Sequence, residues 1–166
     1  MRLEHPYDPV FNNKSSILIL GTFPSVKSRE YGFYYGHPQN RFWKVMAAIT
    51  KTIPFPASIA AKKQMLLTNG IAITDVLQSC EIEGSSDSKI RNPSPRDLMP
   101  ILSAAPIKHI YANGTKAHQM LLKYFPVGCK IAITKLPSTS PANAQCTLER
   151  LVAEWSQIQL FWRINL

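Results

Sequence analysis

Short, continuous apolar runs along this chain alternate with longer stretches whose apolar positions recur every three or four residues. Ile17-Leu18-Ile19-Leu20 has the length and β-branched content of a buried strand, predicting one over 17–20. Ile71-Ala72-Ile73-Thr74 predicts a second strand with Asp75 at its carboxyl end, and 107–112 and 129–134 predict a third and a fourth. Between the first two, Phe42, Val45, Met46 and Ile49 share one face of a helix that starts at Asn40 or Arg41 and ends before Pro54. Ser58 caps a helix over 58–69 that closes on Gly70. Another helix opens at Ser94 or Pro95 and runs through Leu102, one over 116–124 has Thr115 as its cap, and an amphipathic one spans about 147–155. Residues 158–166, with Phe161 and Trp162, finish the chain.

Strands alternating with helices predict an α/β fold, a three-layer α/β/α sandwich around a central four-stranded parallel sheet. The amino-terminal arm reads as irregular. The polar stretch 78–95, which contains Gly84-Ser85-Ser86-Asp87-Ser88, reads as a mobile loop. A chain of 166 residues suits one domain, 1–166.

Open α/β sheets bind ligands at the carboxyl ends of their strands, which draws two segments together. Gly21-Thr22-Phe23-Pro24-Ser25, running on to Tyr34-Tyr35-Gly36-His37-Pro38-Gln39-Asn40-Arg41-Phe42-Trp43, follows the first strand. Ser138-Thr139-Ser140-Pro141-Ala142-Asn143 follows the fourth. The two are expected to be the jaws of one pocket.

Nineteen Lys and Arg against ten Asp and Glu give a net charge of +9, which favours a polyanionic partner, with nucleic acid first. The basic residues are scattered, as on a folded face that tracks phosphates. Cys80, Cys129 and Cys146 are widely spaced, with no Cys-x-x-Cys, and point to neither a disulfide framework nor a zinc site. No metal or other cofactor is expected. No stretch is apolar for long enough to span a membrane, and the first residues lack a signal peptide's apolar core, so a cytoplasmic protein is expected. A domain of this size needs no second subunit to form its cleft, so a monomer is expected.

Taken in order, these segments resemble the uracil-DNA glycosylase superfamily over roughly residues 16–143. Residues 35–44 are similar to the segment that follows the first motif of mismatch-specific uracil-DNA glycosylases. Gly70-Ile71-Ala72-Ile73-Thr74-Asp75 resembles the second-strand segment that reads the base, and Ile110-Tyr111-Ala112-Asn113-Gly114 resembles the third strand. Ser138–Asn143 looks like the second motif, the loop that enters the minor groove. Gly21–Ser25 together with that loop looks most like the hypoxanthine-DNA (deoxyinosine) glycosylase branch. The resemblance implies a glycosylase that releases a deaminated base, hypoxanthine or uracil, from DNA. Three separated cysteines cannot supply the four ligands of the iron–sulfur cluster some relatives hold, and no lysine sits clearly in the motifs to form a Schiff base with the sugar, so a metal-free, monofunctional enzyme is expected.

Three departures from the family pattern shape the expected site. Phe23 stands where most relatives carry a water-positioning Asp or Asn, and it can do neither job. The resemblance points instead to Asn40, whose amide would orient the attacking water and hold charge developing on the sugar; an ordinary helix N-cap is the other reading of Asn40. Ser138 replaces a His that donates to the departing base, and Ala142 replaces a Leu wedge.

Thr22, Phe23, Tyr35, Asp75 and Ser138 are the expected base-binding residues. Tyr35 would stack on the base, or else be an aromatic packed beside the sheet. Asp75, where relatives carry an Asn, accepts but cannot donate, so it would take the N1–H of hypoxanthine or the N3–H of uracil and repel the bare N1 of adenine; its alternative is a strand-end cap or ion-pair partner. Pro24, Ser25, Lys27, Thr139, Ser140, Pro141, Ala142 and Asn143 are expected to contact DNA, with backbone N–H groups of the 138–143 loop gripping phosphates. A non-catalytic nucleic-acid binding domain and a serine hydrolase using Ser25, His37 and Asp75 are the competing readings.

Overall fold

A computed structural model describes residues 1–83, 89–126 and 128–159. The chain opens with a short strand, β1 (Arg2–Glu4), and then enters the central sheet as β2 (Ile17–Gly21), followed by a short helix, α1 (Val26–Tyr31). Helices α2 (Phe42–Thr50) and α3 (Ile59–Thr68) lead to β3 (Ile71–Asp75). An antiparallel hairpin follows, β4 (Leu77–Glu81) with β5 (Arg91–Pro95), and then α4 (Met99–Ala104), β6 (His109–Asn113), α5 (Thr115–Tyr124), β7 (Ala132–Leu136) and α6 (Leu148–Trp155).

The four central strands run parallel in the order β3-β2-β6-β7. Every residue of β2 and β3 is buried, because helices cover both faces. Alternation along the strand divides the core in two. Ile17 and Ile19 join Ile71, Ile73, Phe42, Met46, Leu66, Leu151 and Trp155 on one face, while Leu18 and Leu20 join Ala72, Ile110, Ile101, Ala117 and Leu121 on the other. The expected three-layer sandwich with four parallel strands is the observed architecture.

Two expectations are corrected. The stretch 78–95 is not a loop: Leu77–Glu81 and Arg91–Pro95 pair, and β1 adds to β4 to make a second, three-stranded antiparallel sheet. Pro93 and Pro95 hid this strand from a pattern reading, since proline is tolerated only at a sheet edge, the place β5 occupies. The expected tip at Gly84–Ser88 lies outside the described residues, as do 160–166 at the carboxyl end. The amino-terminal arm is likewise ordered by pairing, with Leu3 opposite Cys80 and the His5 N–H bonded to the Gln78 carbonyl at 2.7 Å.

Smaller differences follow from local chemistry. α1 went unforeseen, being six residues long, but Ser25 caps it, its side chain accepting the Ser28 N–H. The α5 cap is Gly114 rather than Thr115; its φ of +95° favours glycine there, and a methyl would stand a tight 3.0 Å from the Ser138 Cβ. α4 begins after β5, at Met99. β7 lies over 132–136 instead of 129–134.

Candidate active site

From β2 the chain moves outward to β3, then crosses back to place β6 on the other side of β2. That reversal is where open α/β sheets form a crevice. A cleft of about 1180 Å³ lies there, bounded by Gly21–Lys27, Tyr35, Asn40, Asp75, Asn113 and the 138–143 loop. The two jaws inferred from the sequence do converge.

One wall is a polar network. The Asn40 Oδ1 accepts the Phe42 N–H at 2.9 Å and the Thr139 hydroxyl at 2.9 Å. A backbone N–H can only donate, so this contact fixes which end of the amide is oxygen and leaves Nδ2 as the end with hydrogens to give. Asn40 is not the helix N-cap of the alternative reading, since Arg41 holds that position without a side-chain cap bond; Asn40 stands one residue earlier, accepts the first amide of α2 and lines the cleft. Thr139 is fully buried and joins the wall to β6, its hydroxyl accepting from Asn113 Nδ2 and its N–H donating to Asn113 Oδ1, each at 3.0 Å. The guanidinium of Arg41 donates to the carbonyls of Ser140 and Asn143 at 3.0 Å each and to that of Cys146. Its backbone N–H reaches the Thr139 carbonyl at 3.1 Å.

This arrangement corrects the expected use of the loop. The N–H groups of Thr139, Ser140, Ala142 and Asn143 are taken by Asn113 Oδ1, Ser138 Oγ, Ser140 Oγ and the Ser140 carbonyl. Pro141 has none to offer, so residues 139–143 leave no backbone N–H for a phosphate. Thr139 itself, expected at the DNA surface, is sealed beneath it. Ala142 is exposed at the tip, Ser140, Pro141 and Asn143 are half-buried, and Ser138 lines the cleft.

The opposite wall carries the charge. Asp75 is 4% exposed, and its Oδ2 is bonded to His5 Nε2 at 2.7 Å. Its Oδ1 turns over Gly21, its partner in the sheet register, so closely that a methyl on Gly21 would stand 2.5 Å from Oδ1 and 2.9 Å from the Tyr35 hydroxyl oxygen. Tyr35 holds a left-handed backbone, φ +54°, an uncommon state for a bulky residue, and stacks on Phe42 with ring centroids 4.1 Å apart. Phe23 lies between His5, which it meets edge to face at 5.6 Å, and the cleft. Thr22 is buried at the cleft floor.

Beneath Asp75 lie two tyrosines whose hydroxyls resist ionisation. Burial first, and then the negative charge of Asp75, pushes Tyr7 up to about 12 and raises Tyr34 further. Arg96 donates to Thr74 Oγ1 at 2.7 Å and to the Tyr7 carbonyl at 3.0 Å, and is thereby structural rather than a phosphate contact.

Of the residues expected to touch DNA from the first jaw, Lys27 is exposed at the cleft mouth, 3.7 Å from Glu30, whereas Pro24 is buried and Ser25 is committed to capping α1. The Ser25–His37–Asp75 hydrolase is not assembled, since Asp75 is bonded to His5 and the His37 Nδ1 accepts the Gln39 N–H. His5, Arg41 and Asn113 are the site residues that the sequence did not single out. Asn113 had a signal, its place at a strand's carboxyl end; a lone His in an arm without periodicity had none. Among the described residues no helix is long and apolar enough to cross a membrane.

Comparison with known proteins agrees with this geometry. The model of the Uracil DNA glycosylase superfamily matches residues 9–159. A hypoxanthine DNA glycosylase of Methanosarcina acetivorans is 32% identical over 160 residues, covering 94% of this chain and 98% of that protein. Its namesake in Methanosarcina barkeri is 28% identical over 154 residues, covering 91% and 94%. A solution NMR structure from Methanosarcina acetivorans, described as a candidate uracil DNA glycosylase, superposes with a TM-score of 0.79 at 30% identity over 99% of both chains. A family match over residues 9–159, with a relative 32% identical over nearly the whole of both chains, makes this protein a member of the uracil-DNA glycosylase superfamily.

Proposed function

We propose that the chain is a monofunctional DNA glycosylase that hydrolyses the N-glycosidic bond of a deaminated base swung out of DNA, with hypoxanthine as the preferred base. The observation that carries this reading is the placement of a buried carboxylate oxygen, Asp75 Oδ1, in a cleft whose other wall holds the fixed amide of Asn40. The names of the two Methanosarcina relatives support hypoxanthine. All these groups come from one chain, which supports action as a monomer, and the cytoplasm is the proposed compartment.

Each side chain has a definable task. An everted hypoxanthine would donate its N1–H to Asp75 Oδ1, where adenine would set a lone pair against a carboxylate lone pair. The ring would lie on Tyr35, whose other face is backed by Phe42. As the bond from the sugar C1′ to the base breaks, its electron pair leaves with the base, where the Ser138 hydroxyl would donate a hydrogen bond to the developing negative charge while keeping its proton; the departing base takes its proton from solvent. A water held by Asn40 Nδ2 adds its oxygen to C1′ and releases its proton to solvent. Asn40 acts by position, since an uncharged carboxamide takes no proton.

Phosphate contacts fall to side chains such as Lys27, Ser140 and Asn143, with Pro141 and Ala142 at the loop tip meeting the groove. The test is incubation with duplexes containing deoxyinosine, deoxyuridine, deoxyxanthosine or an intact A·T pair, followed by alkali to reveal abasic sites. Deoxyinosine should be cleaved fastest and A·T not at all. Salt-sensitive binding with no alkali-labile product on any duplex would overturn the reading.

A further inference from the structure

We infer that His5, on the amino-terminal arm, is a positioning residue for base selection: its ring donates to Asp75 and thereby keeps the carboxylate an acceptor aimed at the base. The inference rests on the function proposed above. Its basis is a chain of hydrogen bonds that leaves one tautomer. The Tyr7 backbone N–H donates to His5 Nδ1 at 3.1 Å, and an N–H can only donate, so Nδ1 carries the lone pair. The ring proton is then on Nε2, the atom 2.7 Å from Asp75 Oδ2.

That proton occupies Oδ2. A carboxylate held on one oxygen by a donor has its other oxygen oriented, and here Oδ1 is directed over Gly21 toward the cleft. With Asp75 accepting on both oxygens, the site is complementary to an imino N–H and not to a bare ring nitrogen.

The surroundings hold His5 itself in place. Its side chain is fully buried, with Tyr7 and Phe23 edge-on at 5.4 and 5.6 Å and Tyr34 tilted at 5.5 Å. Its backbone N–H is tied to Gln78 on β4. The second sheet is thus what brings a histidine from the start of the chain to a carboxylate 70 residues away. Phe23, which stands where relatives place their water-binding residue, packs instead against this ring.

Three measurements test the inference. In the wild-type protein, the His5 ring nitrogens observed by 15N NMR should show a protonated Nε2 and an unprotonated Nδ1; the opposite tautomer would overturn it. With single-turnover excision as the readout, His5→Leu should lower cleavage of deoxyinosine by roughly 10- to 100-fold, the loss of one hydrogen bond to a charged group, while binding to abasic-site DNA stays unchanged. His5→Gln, whose amide nitrogen can replace Nε2–H, should recover most of that loss; a Leu variant that folds and cleaves like the wild type, or a Gln variant no better than Leu, would refute the role. Finally, 1-methyldeoxyinosine, which lacks the imino proton, should be a poor substrate of the wild type and should be discriminated against less by His5→Leu. If the wild type cleaves no deaminated base, the proposed function fails; if it cleaves deoxyinosine and discrimination is the same in His5→Leu, only the His5 inference fails.

Discussion

On the Asn40 side of the cleft, segments 99 residues apart meet through side-chain hydrogen bonds, whereas the Asp75 side is a single carboxylate set among aromatic rings over a glycine. Asn40, Thr139 and Asn113 are uncharged, and each bonds to another of the three. The network can fix an amide to within a few tenths of an ångström, but losing any member leaves the others under-bonded. Asp75 depends on one donor and on the absence of a methyl group at Gly21. The first wall suits an alignment task, holding water at a sugar carbon. The second suits a yes-or-no task, accepting or rejecting a ring proton.

The sharpest way to separate the walls is to remove the group that only one of them supplies. Asn40→Ala should fold, since the Thr139 hydroxyl retains Asn113 as a partner, yet lose about 10²- to 10³-fold in the single-turnover rate on deoxyinosine, the usual cost of one positioned polar group. Its affinity for DNA containing an abasic site should change little. A rate within threefold of the wild type would show that water is positioned elsewhere.

The Asp75 wall breaks through space rather than through bonding. Gly21→Ala places a methyl 2.5 Å from Asp75 Oδ1, closer than real contacts allow, and 2.9 Å from the Tyr35 hydroxyl, so carboxylate and ring must both move. Excision of deoxyinosine should fall by roughly 10- to 100-fold, through displacement of the Asp75 carboxylate from its place beside the base. Discrimination against 1-methyldeoxyinosine should shrink with it, which Asn40→Ala should leave intact. Equal losses on both substrates would mean that the methyl disturbs the sheet and not the recognition.

These two walls were not equally legible. The strands carrying Gly21 and Asp75 follow nearly continuous apolar runs, the one carrying Asn113 a shorter run at 110–112, and the rule that ligands gather at strand carboxyl ends placed three sides of the cleft. What failed depends on pairings that leave no local trace. β1 is only three residues long, too short for its alternation to register, and β5 contains two prolines, so the sheet that delivers His5 to Asp75 had no pattern to betray it. The 138–143 loop was seen as a motif, but that its N–H groups would be spent on its own side chains is a matter of turn geometry. Composition registers charge and not direction, so it gave no sign that Arg41 turns inward. The backbone carbonyls of Ser140, Asn143 and Cys146 surround its guanidinium.

Arg41 gives a smaller but cleaner test of the bonded wall. Arg41→Ala removes donors from three backbone carbonyls and should destabilise the protein by about 2–4 kcal/mol in denaturant unfolding. Arg41→Lys should recover little of this, since an ammonium cannot reproduce the planar fork.

Lys27 sets the lower bound of the series and marks where the walls end and the DNA surface begins. It is 60% exposed at the cleft mouth, and its nearest acid, Glu30, is equally exposed, so the pair contributes little to stability. Lys27→Ala should leave unfolding and single-turnover rate unchanged. If its ammonium meets a phosphate, as its place at the mouth predicts, the slope of log affinity against log salt should become shallower by about 0.9, the release of one counterion. Arg41→Ala, measured the same way under conditions where it is folded, should keep the wild-type slope, because a guanidinium bonded to carbonyls within the protein neutralises no phosphate. A shallower slope for Arg41→Ala and an unaltered one for Lys27→Ala would exchange their roles, making the loop's anchor a DNA contact and the mouth lysine a bystander.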